Sequence, residues 1–138
     1  MAVIRNTMAG LALGFLAWTP AAQSAGFDGS QALICAAIAT AHCEADNTCM
    51  EGSAASINVP QFFRINFQDK VVRATRADGS ERTTSFTEPV LDSGELVLQG
   101  VENGLGWSLM INQSDGQMTL TAAGDREAFV VFGACTHD

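Results

Sequence analysis

The side chains best suited to metal chemistry lie close together in the chain: His42, Cys43, Glu44, Asp46 and Cys49. Imidazole, thiolate and carboxylate groups all bind zinc, so this segment is the first candidate for a metal site. Structural zinc sites, however, use short-spaced Cys or His pairs on both sides of the metal, and no second pair accompanies this one. The segment also lacks the alternating acids and the glycine of a calcium loop. We therefore predict no metal and no cofactor.

Nucleophilic catalysis needs a serine or cysteine placed beside a base. The chain has two histidines, His42 and His137, and it contains no Gly-x-Ser-x-Gly motif. A cysteine nucleophile would need a free thiol, and none remains if all the cysteines pair. No Cys-x-x-Cys motif is present, which argues against disulfide exchange. We predict no catalytic residue of this kind.

Paired carboxylates offer a second kind of enzyme chemistry. Asp92 and Glu95 flank one predicted turn, and Glu102 precedes another. Glycoside hydrolysis needs two carboxyl groups at a set separation, one of them with a raised pKa. The sequence shows neither property, so a small carboxylate-dependent hydrolase is retained only as an alternative.

The candidate ligand contacts are Trp107 and three arginines, Arg64, Arg73 and Arg76. The arginines fall on neighbouring predicted strands, and Arg82 opens the next one. Together they would form a positive patch that suits a carboxylate or phosphate. Cross-strand pairing with acidic side chains is the simpler interpretation and the one we favour. For Trp107, a place in the core or as a loop anchor is favoured over stacking on a ligand.

Residues 1–25 have the pattern of a cleavable signal peptide. Arg5 precedes an apolar run over residues 8–18, and the small residues Ala22 and Ser24 precede the expected cut. The apolar run is short for a membrane span. No cysteine lies at the cut, which argues against a lipid anchor. We expect a periplasmic or secreted protein whose single domain, residues 26–138, has no membrane insertion after cleavage.

The net charge of the chain limits the classes of binding partner. The formal net charge is −8, and loss of the basic Arg5 with the signal peptide would make it −9. Such a charge disfavours binding to nucleic acid or to anionic membranes. It does not identify a positive partner, because the acidic residues are spread along the chain.

The four cysteines, Cys35, Cys43, Cys49 and Cys135, predict two disulfides in an exported domain. Three pairings are possible, and spacing alone does not choose among them. We favour Cys43–Cys49, which closes a short loop, and Cys35–Cys135, which joins the two ends of the domain.

Hydrophobic periodicity predicts a mainly β (α+β) domain. Residues 31–42 show helical spacing of Ile34, Ile38 and Ala41. From Gln61 the period changes to two, with about seven short strands joined by turns. The last of these, residues 128–135, is apolar on both faces and needs cover on both. The expected fold is an N-terminal helix packed on a curled antiparallel meander sheet or small barrel.

Four sequence segments resemble a family of small exported proteobacterial proteins of uncharacterised activity. They are Cys35…Cys43…Cys49, Asn58-Val-Pro60-x-Phe62, Leu98-Gln-Gly100 with Trp107-Ser108, and Phe132-Gly-Ala-Cys135. The resemblance implies export and a disulfide-bridged, β-rich fold, and it implies no activity. The expected architecture is also similar to that of periplasmic lysozyme inhibitors, although their inhibitory loop motif is missing.

These observations favour a non-enzymatic binding module for an envelope protein or a small ligand. The predicted bridged scaffold, the shortage of catalytic groups and the loops around Asp46 and Gly104 support it. The alternatives are the hydrolase described above and a structural or stress-related envelope protein.

Overall fold

The computed structural model of the chain describes residues 26–138, and the expected signal peptide lies outside the described residues. This part is almost entirely β, with one short 3₁₀ turn at Ala54–Ile57. The strands are β1 (Leu33–Glu44), β2 (Cys49–Gly52), β3 (Phe62–Asn66), β4 (Val71–Thr75), β5 (Glu81–Ser85), β6 (Val90–Asp92), β7 (Glu95–Glu102), β8 (Leu105–Asn112), β9 (Gln117–Ala123) and β10 (Glu127–His137).

One antiparallel sheet contains all the strands. Its order is β5-β4-β3-β1-β10-β9-β8-β7-β6, and β2 pairs with β1 beside this path. The sheet curls into a half-barrel, because Phe86, just after β5, forms a bridge with Gly100 of β7. The prediction of a curled antiparallel sheet is confirmed. The number of strands was wrong, since the path has nine strands instead of about seven.

The predicted N-terminal helix is also wrong, because these residues form strand β1. Leu33, Cys35 and Ala37 are buried while their neighbours are more exposed, which is the alternation of a strand. β1 lies in the middle of the sheet, with β10 on one side and β2 and β3 on the other. Hydrogen bonding on both edges outweighs the favourable helix propensity of this alanine-rich segment, because propensity differences amount to less than about 1 kcal/mol per residue. A register shift between Ala37 and Ala39 makes a bulge at Ile38.

The missing helix leaves the outer face of β10 uncovered. Val131 points into the half-barrel and is buried, whereas its neighbour Phe132 is 51% exposed on the outside. Within residues 26–138, other side chains therefore pack on the inner face of β10 and leave its outer face exposed.

The interior of the half-barrel is built from rows of side chains that lie opposite one another on successive strands. One row is Leu96, Ile111, Met118 and Gly133, and the next is Leu98, Leu109, Leu120, Val131 and Thr40. Almost all of these residues are buried. The third row is Gly100, Trp107, Ala122, Phe129 and His42, in which two small residues flank the indole. We call it the tryptophan row.

Two disulfides join neighbouring strands, and they are the two pairs favoured above. Cys35 on β1 is bonded to Cys135, its direct partner on β10, and Cys43 is bonded to Cys49 across the β1–β2 hairpin. Such bonds form and persist in oxidising compartments, which points to folding outside the cytoplasm. Among residues 26–138, no helix has the length and apolar character needed to cross a membrane.

Candidate functional site

A cavity of about 170 Å³, partly open to solvent, lies in the half-barrel at the tryptophan row. Its walls on β8, β9 and β10 include Trp107, Leu109, Ala122, Phe129 and Val131. The cavity exists because Ala122 stands directly between Trp107 and Phe129 in the row and leaves space between the two rings. The rows below it carry larger aliphatic side chains, which fill the interior.

The segment that follows the 3₁₀ turn lines the cavity as well. Ile57, Val59 and Pro60 contribute apolar side chains to the lining. Asn58 adopts a left-handed conformation with φ of 54°, and the amide of Val59 donates to the carbonyl of Ala54 at 3.0 Å. These features end the turn and direct the chain across the cavity. The site is therefore bounded by the curled sheet and by this connecting segment.

The polar part of the lining includes one ion pair, between Arg82 of β5 and Glu102 of β7. Nε and Nη2 of Arg82 donate to the two carboxylate oxygens at 2.8 and 2.9 Å. The side chains are only 26% and 18% exposed. A bidentate pair of this kind is stronger and more directional than an exposed ion pair. It connects the two ends of the curled sheet beside the cavity.

Trp107 contributes an unsatisfied hydrogen-bond donor to this region. Its Nε1 atom is shielded from solvent and has no partner within residues 26–138. A buried donor without a partner costs roughly 1–3 kcal/mol. A hydrogen-bond acceptor that reached the indole edge would remove this cost.

A stacked pair of rings supports the far wall of the cavity. The rings of His42 and Phe129 lie 4.4 Å apart at an angle of 8°. His42 Nε2 lies 3.2 Å from a carboxylate oxygen of Glu127, which holds the imidazole in place. His42 therefore packs against a wall residue of the cavity.

The predicted ligand contacts do not form one site. Trp107 lines the cavity, whereas Arg64, Arg73 and Arg76 line a separate groove of about 730 Å³. Arg64 and Arg73 are direct cross-strand partners, so the structure does bring these arginines together.

Each of these arginines has a partner. Arg64 Nε donates to Asp138 at 2.9 Å, and Arg73 lies 3.7 Å from Asp69. Arg76 donates to the hydroxyl of Ser80 at 3.3 Å. Arg64 and Arg73 thus lie beside carboxylates, whereas the partner of Arg76 is an uncharged hydroxyl.

The candidate hydrolase carboxylates are spread along the β6–β7 hairpin. Asp92 lies opposite Glu95 at its tip and is exposed, and Glu95 accepts a hydrogen bond from Asn112 at 3.1 Å. Glu102 is at the other end of β7, roughly 23 Å away at the rise of an extended strand. Glycosidase carboxyl groups lie about 5–10 Å apart. Of the three, Asp92 and Glu95 are neighbours, and Asp92 is exposed at the hairpin tip while Glu95 is half-buried against Asn112.

Two residues of the site were assigned other roles from the sequence, Arg82 in the arginine patch and Glu102 among the hydrolase carboxylates. Arg82 and Glu102 both point inward, and a period-two signal was available for each. Arg82 is two positions from Thr84 and four from the buried Phe86, and Glu102 continues the inward series of Leu96, Leu98 and Gly100. Alternation thus places them inside, although a charged residue is not normally assigned there.

Residues 26–138 contain no cluster of three or more His, Cys, Asp or Glu side chains that could hold a metal ion. Comparisons of the chain with protein-family models, curated proteins and solved structures found no match in any of the three. The family resemblance described above therefore stays an expectation.

Proposed function

We propose that the protein is a non-enzymatic binding module, exported by the signal peptide at residues 1–25, that holds a small apolar molecule in the cavity of the tryptophan row. One observation carries this proposal: an apolar cavity of about 170 Å³, partly open to solvent, extends into an interior that is otherwise filled. Protein interiors pack as tightly as organic crystals and contain few voids larger than a water molecule. A cavity of this size is therefore a feature to be explained.

The size of the cavity indicates the size of the ligand. An engineered apolar cavity of about 150 Å³ in another protein stays dry and binds benzene. The cavity here, at about 170 Å³, has room for one aromatic ring or a short branched chain. Its lining is mainly apolar with a few polar groups, as is usual for small-molecule sites.

The cavity also separates this proposal from a purely structural role. The apolar walls of the cavity stay accessible to solvent. A larger side chain at Ala122 would bury part of this surface and would stabilise the fold. A scaffold whose whole task was stability would gain from such a residue, whereas a binding module needs the space.

The hydrolase alternative has weaker support. It needs two carboxyl groups that converge on a substrate, and the nearest pair, Asp92 and Glu95, lies at an exposed hairpin tip. The one carboxylate in the cavity lining, Glu102, is held by Arg82.

The test fills the cavity and keeps the outside of the same strand as a control. Ala122→Leu places a larger side chain between Trp107 and Phe129, and Ala123→Leu makes the same change on the opposite face of β9. We expect toluene to shift the NMR signals of the Leu109 and Val131 methyl groups in the exported wild type and in Ala123→Leu. We expect no such shift in Ala122→Leu. Ala122→Val, a smaller filling, replaces it if the leucine variant does not fold.

Two results would overturn the proposal. One is a wild-type protein whose cavity methyl signals do not respond to toluene at saturation. The other is a folded Ala122→Leu variant that binds toluene as strongly as the wild type does.

A further inference from the structure

We propose that the ion pair of Arg82 and Glu102 makes this site selective for neutral ligands that carry one hydroxyl, carbonyl or amide group on a compact apolar body. This inference rests on the proposed function and deepens it. It follows from the position of the pair in the cavity lining, from its hydrogen bonding and from its burial.

The ion pair lies where the ends of the curled sheet separate. Phe86 bridges to Gly100, and the amide of Thr87 donates to the carbonyl of Gln99 at 2.9 Å. Within residues 26–138, strand β5 itself pairs only with β4. Arg82 and Glu102 therefore connect β5 and β7 through their side chains, and both line the cavity. A ligand seated in the cavity has this pair among its polar neighbours.

The pair still has hydrogen-bonding capacity. Nε and Nη2 of Arg82 bind Glu102, which leaves the other guanidinium N–H groups free of that carboxylate. Each carboxylate oxygen also has a further lone pair. A hydroxyl or primary amide on the ligand can accept from Arg82 and donate to Glu102 while the ion pair stays intact. A carbonyl can make the first of these bonds.

Binding a charged ligand carries the additional free-energy cost of disrupting the Arg82–Glu102 ion pair. A carboxylate would have to compete with Glu102 for Arg82, and the displaced Glu102 would remain mostly buried beside a second negative charge. An ammonium group would displace Arg82 in the same way. The net charge of −8 adds a further unfavourable term for anions. Neutral ligands avoid all these costs.

The experiment compares four probes that share one aromatic ring: toluene, benzamide, benzoate and benzylamine, which is cationic at pH 7. Affinities come from NMR titrations of the cavity methyl groups in the full chain after export. We expect benzamide to bind most tightly, with benzoate and benzylamine at least tenfold weaker. Benzoate or benzylamine binding as tightly as benzamide would overturn the inference.

Two charge-neutralising variants shift the selectivity in opposite directions. Glu102→Gln leaves Arg82 without its counter-charge, so we expect benzoate affinity to rise at least tenfold. Arg82→Gln leaves Glu102 uncompensated, so we expect the same rise for benzylamine. Arg64→Gln, which breaks the outer pair with Asp138, is the control and should change none of the affinities. Unchanged selectivity in the first two variants would overturn the inference.

The toluene titration distinguishes failure of this inference from failure of the proposed binding function. If toluene binds and the polar probes show no preference by charge, the cavity is a binding site and the ion pair is not its selector. If no probe binds, including toluene, the proposed function fails and this inference fails with it.

Discussion

The indole of Trp107 lies directly over Gly100, its cross-strand partner on β7. A Cβ atom at position 100 would overlap Cζ2 of the indole and would lie 2.5 Å from the carbonyl oxygen of Ser85. The close approach of three strands at this point sets the position of the tryptophan on the cavity wall. It also brings the ends of the curled sheet together.

We predict that Gly100→Ala destabilises the protein by about 1–3 kcal/mol, which is typical of overpacking in a tight interior. Because the added methyl group would collide with the backbone carbonyl of Ser85 as well as with the indole, the strands would have to move apart to accommodate it. Gly106→Ala is the matched control, because a Cβ there meets no atom within 4 Å. Urea denaturation should show a clear loss for the first variant and little change for the second. Equal stability of the two variants would contradict this account of the contact.

The two disulfides should contribute unequally to stability. Cys35–Cys135 spans 100 residues of sequence and Cys43–Cys49 spans 6. In the chain-entropy model, loops of these lengths are worth about 4–5 and about 2 kcal/mol. Replacing both members of each bond by alanine and measuring unfolding without reductant should reproduce this order. A larger loss from the short loop would show that unfolded-state entropy is not the main term.

The contribution of the Asp78 turn to folding stability should depend on pH. The hydroxyl of Ser80 donates to the carboxylate at 2.6 Å and its amide donates at 2.8 Å, so the pKa of Asp78 lies below its ordinary value of 3.8. Because the pKa of Asp78 is lower in the folded state than in the unfolded state, the ionised carboxylate stabilises the fold at pH values above the ordinary pKa. This contribution to stability is lost as the pH falls through the pKa of the folded state. We expect Ser80→Ala to raise the pKa of Asp78 towards 3.8.

Carbon NMR titration of the side-chain carboxyl groups measures this change. Asp46 is the internal control, because its own pKa is lowered by hydrogen bonds from Thr48 and should not respond to the substitution. An unchanged pKa of Asp78 in Ser80→Ala would show that the hydroxyl does not set it.

Most of the sheet could be predicted from the sequence. The period-two segments from Phe62 onward correspond to β3, β4, β5, β7, β8, β9 and β10. Turn residues such as Asp78 and Gly79 mark their ends, and Gly79 has the positive φ of 82° that this turn requires. The three-residue strand β6 was missed because a segment that short shows no period.

The site was less accessible to sequence reasoning. Trp107 was recognised as a candidate contact, and it does line the cavity. The partners that make the cavity are distant in the chain, and each looks ordinary by itself. Ala122 matters because it falls between Trp107 and Phe129 in the register of three strands. Arg82 and Glu102 face each other only because the sheet curls.

The sequence by itself determined the β-rich character of residues 61–138 and the even set of cysteines, because strand periodicity and cysteine count are local or compositional properties. Tertiary structure alone decided that residues 33–44 form a strand, since two neighbouring strands supply hydrogen bonds that outweigh the helix propensity of alanine. It also decided where the cavity lies, because the cavity depends on which residues of neighbouring strands lie opposite one another, and no single segment specifies that register.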